Sequence, residues 1–242
     1  KPPGTKWLTN FIKRSHVLVR AKRNVINFPR VREGGELPIR LFFDRLSHYE
    51  LKYRVDKTRV WNLDECGFKV GQATNGSWSI ALAETHNHKG SKSSCNLITV
   101  LECISGSGAI LEPLLIYKGV HIMESWFSGS NKSHTLVSTS QMAFINSEIF
   151  LEWFRRYFPE LPNDQWQILV LDGHKSHVSK EFQQCALEKK VIPVYLPSHM
   201  SNVLQPLDRA CFEAAEQSYC RELATHFAEG IEHSKKVFYD TY

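Results

Sequence analysis

Three aspartates occupy positions where a carboxylate can do chemistry. Asp64 closes Trp61-Asn62-Leu63-Asp64, Asp172 closes Ile168-Leu169-Val170-Leu171-Asp172, and Asp208 lies in Leu204-Gln205-Pro206-Leu207-Asp208. The apolar runs before Asp64 and Asp172 read as strands, and open α/β sheets place ligands at the carboxyl ends of their strands. Two carboxylates leaving adjacent strand ends repel each other, and one takes up a proton unless a cation intervenes. Three acids without thiolates or clustered histidines describe an all-oxygen site, which suits Mg²⁺ or Mn²⁺. Two such ions can activate the attacking oxygen and stabilise the leaving oxygen of an in-line phosphoryl transfer. Each aspartate also has a plainer reading. Asp172-Gly173 is a good turn, and Asp208 is a favourable acid in the first turn of a helix. The coincidence of two acids at central strand ends favours a site, as does the Phe212, Ala215 and Tyr219 stripe that turns Asp208 toward the protein body.

His174 and His177 flank the second acid. They either contact phosphate or orient Asp172, with local turn hydrogen bonds as the alternative. Glu65 follows Asp64 but alternates to the opposite face of a strand, so it is not counted as a ligand. No Walker loop or GxGxxG is present, which argues against a nucleotide cofactor. GxSxG is absent too, and Asp172, Ser176 and His177 lie too close together in sequence to suggest a hydrolase triad.

The elements that must carry these residues follow from periodicity. Thr5–Arg14 patterns as a short amphipathic helix, Val25–Pro38 as a linker, and Leu41–Tyr53 again as a helix. Arg59–Asp64 is a strand, Asn96–Ser105 a second ending at Gly106-Ser107-Gly108, and Ile110–Tyr117 a third. Pro113 cannot donate to a ladder, so the third strand is expected at a sheet edge. Ser147–Phe158 is a helix capped by Asn146 or Ser147 and stopped by Pro159, and Gln167–Leu171 is a buried strand. Val178–Lys189 is helical, Val191–Leu196 is a fifth strand, and Pro206–Ala224 is a last helix with Pro at its start. A three-strand meander followed by helix, strand, helix, strand, helix is the order of the ribonuclease H-like α/β fold. That fold has a mixed five-stranded sheet flanked by helices. The expected division is a basic segment at 1–32, a linker and helix at 33–55, the acid-bearing domain at 56–225 and a tail at 226–242.

Charge divides the chain in two. The net +5 conceals nine Lys or Arg residues and no Asp or Glu in 1–32, against 21 basic and 25 acidic residues afterwards, so a +9 arm joins a −4 body. Such an arm suits a polyanion, met first by Lys6, Lys13, Arg14, Arg20, Lys22 and Arg23. The six cysteines show no CxxC spacing and read as buried reduced thiols, not as zinc ligands. No apolar run is long enough to span a bilayer, and no signal peptide opens the chain. Beginning without Met, the sequence reads as the middle of a longer protein.

Three motifs then carry a resemblance: Asn62-Leu63-Asp64-Glu65-Cys66-Gly67-Phe68, Asp172-Gly173-His174-Lys175-Ser176-His177 and Leu204-Gln205-Pro206-Leu207-Asp208. Over roughly residues 56–223 the chain resembles the DDE endonuclease domain of pogo/Tigger-like transposases, in the mariner-like superfamily to which centromere protein B is related. The last two acids are 36 positions apart, a short spacing typical of such domains. The resemblance implies a DNA endonuclease and strand transferase in which Asp64, Asp172 and Asp208 hold two Mg²⁺ or Mn²⁺ ions. His177 matches a histidine of the family motif, whereas Cys66 stands where many relatives have Thr. The implied partners are double-stranded DNA, both transposon ends and target, and a second copy of the chain, with no membrane and a nuclear location. Trp7–Arg23 resembles the tail of an upstream helix-turn-helix region. Other readings are a domesticated, non-catalytic DNA-binding or chromosome-associated protein on the same fold, and a plain ribonuclease H-type nuclease. Trp78, Lys118 and Trp126 are further candidates for DNA contact.

If base-reading groups lie upstream of Lys1, this chain binds DNA weakly and with little sequence preference, through phosphates. Fluorescence anisotropy at three salt concentrations, on an inverted-repeat duplex and a scrambled one, checks this. Deleting 1–32 should flatten a log–log salt slope of roughly −0.9 per neutralised phosphate by several units. An unchanged slope would place DNA recognition in the acidic body.

Overall fold

The computed structural model describes residues 36–70, 97–127, 136–162, 165–231 and 234–242. The expected arm contacts, the helix at Thr5–Arg14 and Trp78 lie outside them. Helix α1 (Glu36–Tyr53) starts earlier than its periodicity suggests, with Pro38 in the first turn, where a missing N–H leaves no bond unmade. The sheet then builds from β1 (Val60–Lys69), β2 (Leu97–Ser105), β3 (Leu114–Lys118) and β4 (Leu136–Ser140). Helix α2 (Ser147–Tyr157), β5 (Gln167–Leu171), α3 (Lys180–Glu188) and β6 (Val191–Tyr195) follow. The short α4 (Ser201–Leu204), a π-helical turn at Leu207–Cys211, α5 (Phe212–Ala228) and α6 (Lys235–Thr241) complete the chain.

Six strands pair in the order β4-β3-β2-β1-β5-β6, and β2 alone runs against the others. The expected five-stranded sheet is therefore one strand short. The added strand, β4, is half-buried along its whole length, and Leu-Val-Ser-Thr-Ser carries little apolar signal. Because β4 covers β3, the third strand is not the edge that Pro113 suggested. Pro113 falls between a single Ile104–Ile110 bridge and the start of β3, so it escapes the ladder without lying at an edge. The turn after β2 does form as expected, with Gly108 at φ +92°.

Both faces of the sheet are covered, so the central strands are buried on alternating sides. On one face Trp61, Leu63, Leu169 and Leu171 meet Phe150, Trp153 and Phe154 of α2 and Phe182 of α3. Each such side chain contributes about 1.5–3 kcal/mol of transfer free energy on burial. Helix α2 starts as its sequence requires: the Asn146 side chain accepts from the Ile149 N–H at 2.8 Å, a cap worth about 1 kcal/mol. On the other face Phe68, Ile98, Val100 and Tyr117 meet Leu207, Phe212, Tyr219 and Leu223. Residues 226–242 are more than a tail, because α6 completes this second core with Phe238 and Tyr239. The β5–β6 half of the same face packs on Phe42 of α1.

Candidate active site

Strand β1 fixes the site by running on past Asp64. It does not end there as expected. It continues to Lys69 because its antiparallel ladder with β2 extends from Trp61–Ser105 to Lys69–Leu97. Its parallel ladder with β5 stops sooner, at Asn62–Val170. Asp64 thus leaves the β5 side unpaired, at the carboxyl edge where Asp172 follows the last residue of β5. Asn62, Asp64, Cys66 and Phe68 share the face covered by α5, whereas Leu63 and Glu65 share the face covered by α2 and α3.

Asp208 reaches this edge through a buried amide pair. The Asn62 amide donates to the Val170 carbonyl at 3.1 Å and to Gln205 Oε1 at 2.6 Å. The Gln205 amide donates to the Leu63 carbonyl at 3.0 Å, and the Leu207 N–H donates to Asn62 Oδ1 at 3.1 Å. Gln205 is fully buried, so losing either partner would strand polar groups at a cost of about 1–3 kcal/mol each. The clamp ties β1, β5 and the turn before Asp208 into one unit. The last helix is correspondingly less regular than expected, since Asp208 sits in the π-helical turn, a device that re-aims side chains and recurs at functional sites.

The three acids are electrostatically linked through Asp208. Asp64 is buried, and burial, then the charges of Asp208 and Glu65, push its carboxyl up to about 7 against a hydrogen bond from Gln205. Asp208 is exposed, yet partial desolvation and the charge of Asp172 raise it, opposed by its hydrogen bond with Asp64. Burial and the neighbouring charges thus favour the protonated form of Asp64 up to about neutral pH. Among the described residues no group of three or more His, Cys, Asp or Glu side chains is already gathered to hold a metal ion. The pairs Asp64–Asp208 and Asp208–Asp172 are what the fold brings together.

Asp172 is held differently. Burial pulls its carboxyl up, but the His177 side chain and the His174 N–H outweigh this and hold it below the usual range. Both bonds fall on Oδ1, from His177 Nδ1 at 2.8 Å and from the His174 N–H at 3.1 Å. His177 Nε2 bonds Glu65 Oε1 at 3.0 Å, so one buried imidazole spans two carboxylates from opposite elements. Glu65 does point to the other face, as its alternation required, but it belongs to the support of Asp172, and no local pattern signals that. The His174 ring turns to Ser176 Oγ at 2.8 Å, so its backbone and not its ring touches Asp172.

Two further acids, Glu102 opposite Asp64 and Glu216 against Cys66, were not singled out by sequence. Glu102 pairs directly across from Asp64 on β2, burial raises its carboxyl, and the Tyr242 hydroxyl donates to it. The Cys66 thiol donates to Glu216 at 4.0 Å, and burial pushes it up to about 12, so it is an inert thiol. Trp126 is half-buried, its ring against Tyr117 and under Lys235 Nζ at 4.2 Å. Lys118 is exposed at the end of β3.

The His177 bridge has a pH signature. Burial alone would lower its pKa, but the bonds with Asp172 and Glu65 raise it to about 9. Stability from its charged form is fully present below about pH 6.5, the unfolded value, and is lost as pH climbs through about 9. Melting temperatures of metal-free protein between pH 6 and 10 should therefore fall more steeply above pH 8 for the wild type than for His177→Gln. Parallel curves would show that the bridge is not charged.

A family model described as DDE superfamily endonuclease matches residues 95–241. In sequence the chain is similar to the MFS-type transporter clz9 of Cochliobolus lunatus, 26% identical over 198 residues that make up 78% of this chain and 21% of that protein. It is also similar to the Jerky protein of Mus musculus, 29% identical over 123 residues, 46% of this chain and 21% of that protein. The chain thus spans about a fifth of the length of the curated relatives it matches. No helix among the described residues is long and apolar enough to cross a membrane. In structure the chain is similar to the protein of the Mos1 strand transfer complex, with a TM-score of 0.51 and 13% identity over 88% of this chain and 55% of that one. The likeness is one of fold, and the ribonuclease H-like architecture holds with six strands instead of five.

Proposed function

From the premise that the chain belongs to the DDE superfamily endonucleases, whose model matches more than half of it, we propose that it cuts and rejoins DNA at Asp64, Asp172 and Asp208. The observation that supports this reading is the position of the acids at the carboxyl edge, Asp64 beyond the β5 ladder and Asp172 after the last residue of β5, with Asp208 held to β1 by the Asn62–Gln205 clamp. Such a set is self-repelling and all-oxygen, which fits a pair of Mg²⁺ or Mn²⁺ ions better than any softer metal. What the ions supply when bound is charge that activates an attacking oxygen and stabilises a leaving one.

The chain's own groups prepare that site. Gln205 and Asn62 hold Asp64 and the Asp208 turn in register, so neither carboxylate can retreat far from the other. The two bonds to Asp172 Oδ1 keep this acid ionised and present its second oxygen to a ligand. In the proposed reaction, water adds to phosphorus as the bond to the 3′ oxygen breaks, giving a 3′-hydroxyl and a 5′-phosphate. That hydroxyl then attacks a phosphorus of target DNA in line, and a second P–O3′ bond breaks. The solved structure of similar fold is named for a strand transfer complex, which agrees with this second step. Duplex DNA is the proposed partner, met first by the basic residues of 1–32, and the nucleus the proposed location.

A supercoiled-plasmid nicking assay tests the reading. Mg²⁺ or Mn²⁺ should support nicking and Ca²⁺ should not, because its longer, looser coordination misplaces the attacking oxygen. Asp64→Asn, Asp172→Asn and Asp208→Asn should each lower the rate by more than about tenfold while melting cooperatively and binding DNA as before. A variant that nicks at the wild-type rate removes its residue from the site. Wild-type DNA binding without nicking in any metal would leave a non-catalytic DNA-binding protein.

A further inference from the structure

A cavity of about 310 Å³ lies on the α5 face of the sheet, beside the connection from β2 to β3. Ile110, Pro113 and Tyr219 give it an apolar lining, to which Glu102 and Glu222 add carboxyl groups. Tyr219 and Glu222 are three residues apart on α5, so one stripe of that helix supplies both. Tyr242, which follows α6, also lines the cavity, and its hydroxyl donates to Glu102. Ile110 is 69% exposed and Glu222 is exposed, so the cavity is reached from solvent.

The acids here have no cation. Glu112 adds a third negative charge, near enough to help raise the Glu102 carboxyl. Among the described residues no Lys, Arg or His forms an ion pair with Glu102, Glu112 or Glu222. Nor, among them, is any group of three or more His, Cys, Asp or Glu gathered to hold a metal ion. Negative charge also repels the phosphates of a nucleic acid. What fits an apolar cavity rimmed by carboxylates is a cation on an aliphatic stem. Lys and Arg lay their methylenes along apolar surface and keep the charged head at a polar rim.

The chain carries that chemistry in excess. Residues 1–32 hold nine Lys or Arg and no Asp or Glu, whereas the remainder is net −4. An extended chain advances about 3.3 Å per residue, so a few tens of residues outreach a domain of this size. A tethered group meets its site at an effective concentration on the order of a millimolar, so a weak contact is enough to hold it.

We propose that this cavity takes a Lys or Arg side chain from residues 1–32 of the same chain, its stem on Ile110, Pro113 and Tyr219 and its charge at Glu102 and Glu222. The arm is then held on its own body until a polyanion draws it away, because body and polyanion compete for the same cations. The contact does not depend on the acids at the carboxyl edge or on their chemistry.

Carbodiimide coupling in the full chain tests this, because it joins a carboxylate to an amine only where the two touch. At low salt, Lys1, Lys6, Lys13 or Lys22 should be joined to Glu222 or Glu102 within single chains, as read by mass spectrometry of the monomer band. Saturating dextran sulfate, a polyanion without carboxylates, should remove the product. Glu222→Gln should lose the joining at its own position. It should also bind fluorescein-labelled dextran sulfate about two- to fivefold more tightly at low salt, the range of one partly exposed ion pair. Glu148→Gln, which removes the same charge from the first turn of α2 across the sheet, should do neither. Arm lysines joined evenly to acids over the whole surface, or to none, overturn the proposal. A product found only between two chains does so too, since the cavity would then hold the arm of a second copy. Equal tightening by Glu222→Gln and Glu148→Gln would reduce the effect to bulk charge and overturn it as well. No readout involves cleavage or DNA, so failure here and failure of the endonuclease reading are distinguishable.

Discussion

Asp64 and Asp208 repel each other, and the fold prevents them from separating. Asp64 is fixed within a strand paired to β2, and Asp208 is fixed by a turn that Asn62 and Gln205 hold against the same strand. Burial first, and the charge of Asp208 after it, push the Asp64 carboxyl up to about 7. A structure selected for stability alone would place an apolar pair there. A divalent cation bound as proposed would remove the conflict, and contacts that cost stability without metal would then serve as a binding site.

The third acid avoids this problem, and the difference comes from strand alternation. Asp64 faces α5 and joins the repelling set, whereas Glu65 faces α2 and α3 and meets His177. The imidazole carries the positive charge that Asp64 and Asp208 lack, which keeps Asp172 ionised. Consecutive residues of β1 thus serve two opposite electrostatic purposes. Buried Phe150 packs on the His177 ring at 4.5 Å and sets its position between the two acids. The core under α2 therefore aligns the site as well as stabilising the sheet.

Features written in local pattern were legible in the sequence. Strand β5, the Asn146 cap of α2 and the position of Asp172 at a strand end all follow from a few adjacent residues. Features set by distant partners were not. The Glu65–His177 bond joins residues 112 positions apart, and the Asn62–Gln205 bond joins residues 143 apart. Strand β4 is too polar to announce itself, yet the free edge of β3 recruits it. The π-helical turn under Asp208 likewise has no signature in Leu207–Cys211, because the clamp upstream, not the propensity of those residues, sets the phase of the helix.

Crystals soaked in MnCl₂ and measured at the manganese absorption edge give the most direct check on Asp64, Asp172 and Asp208 as a metal-binding set. Two anomalous peaks should appear at the carboxyl edge of the sheet, with oxygens of all three aspartates around them and the Asp172 oxygen bonded to His177 turned away. Manganese that bound only at Glu102 or Glu216, or none at the edge under conditions that support nicking, would mean that the three acids are structural and that the chemistry lies elsewhere.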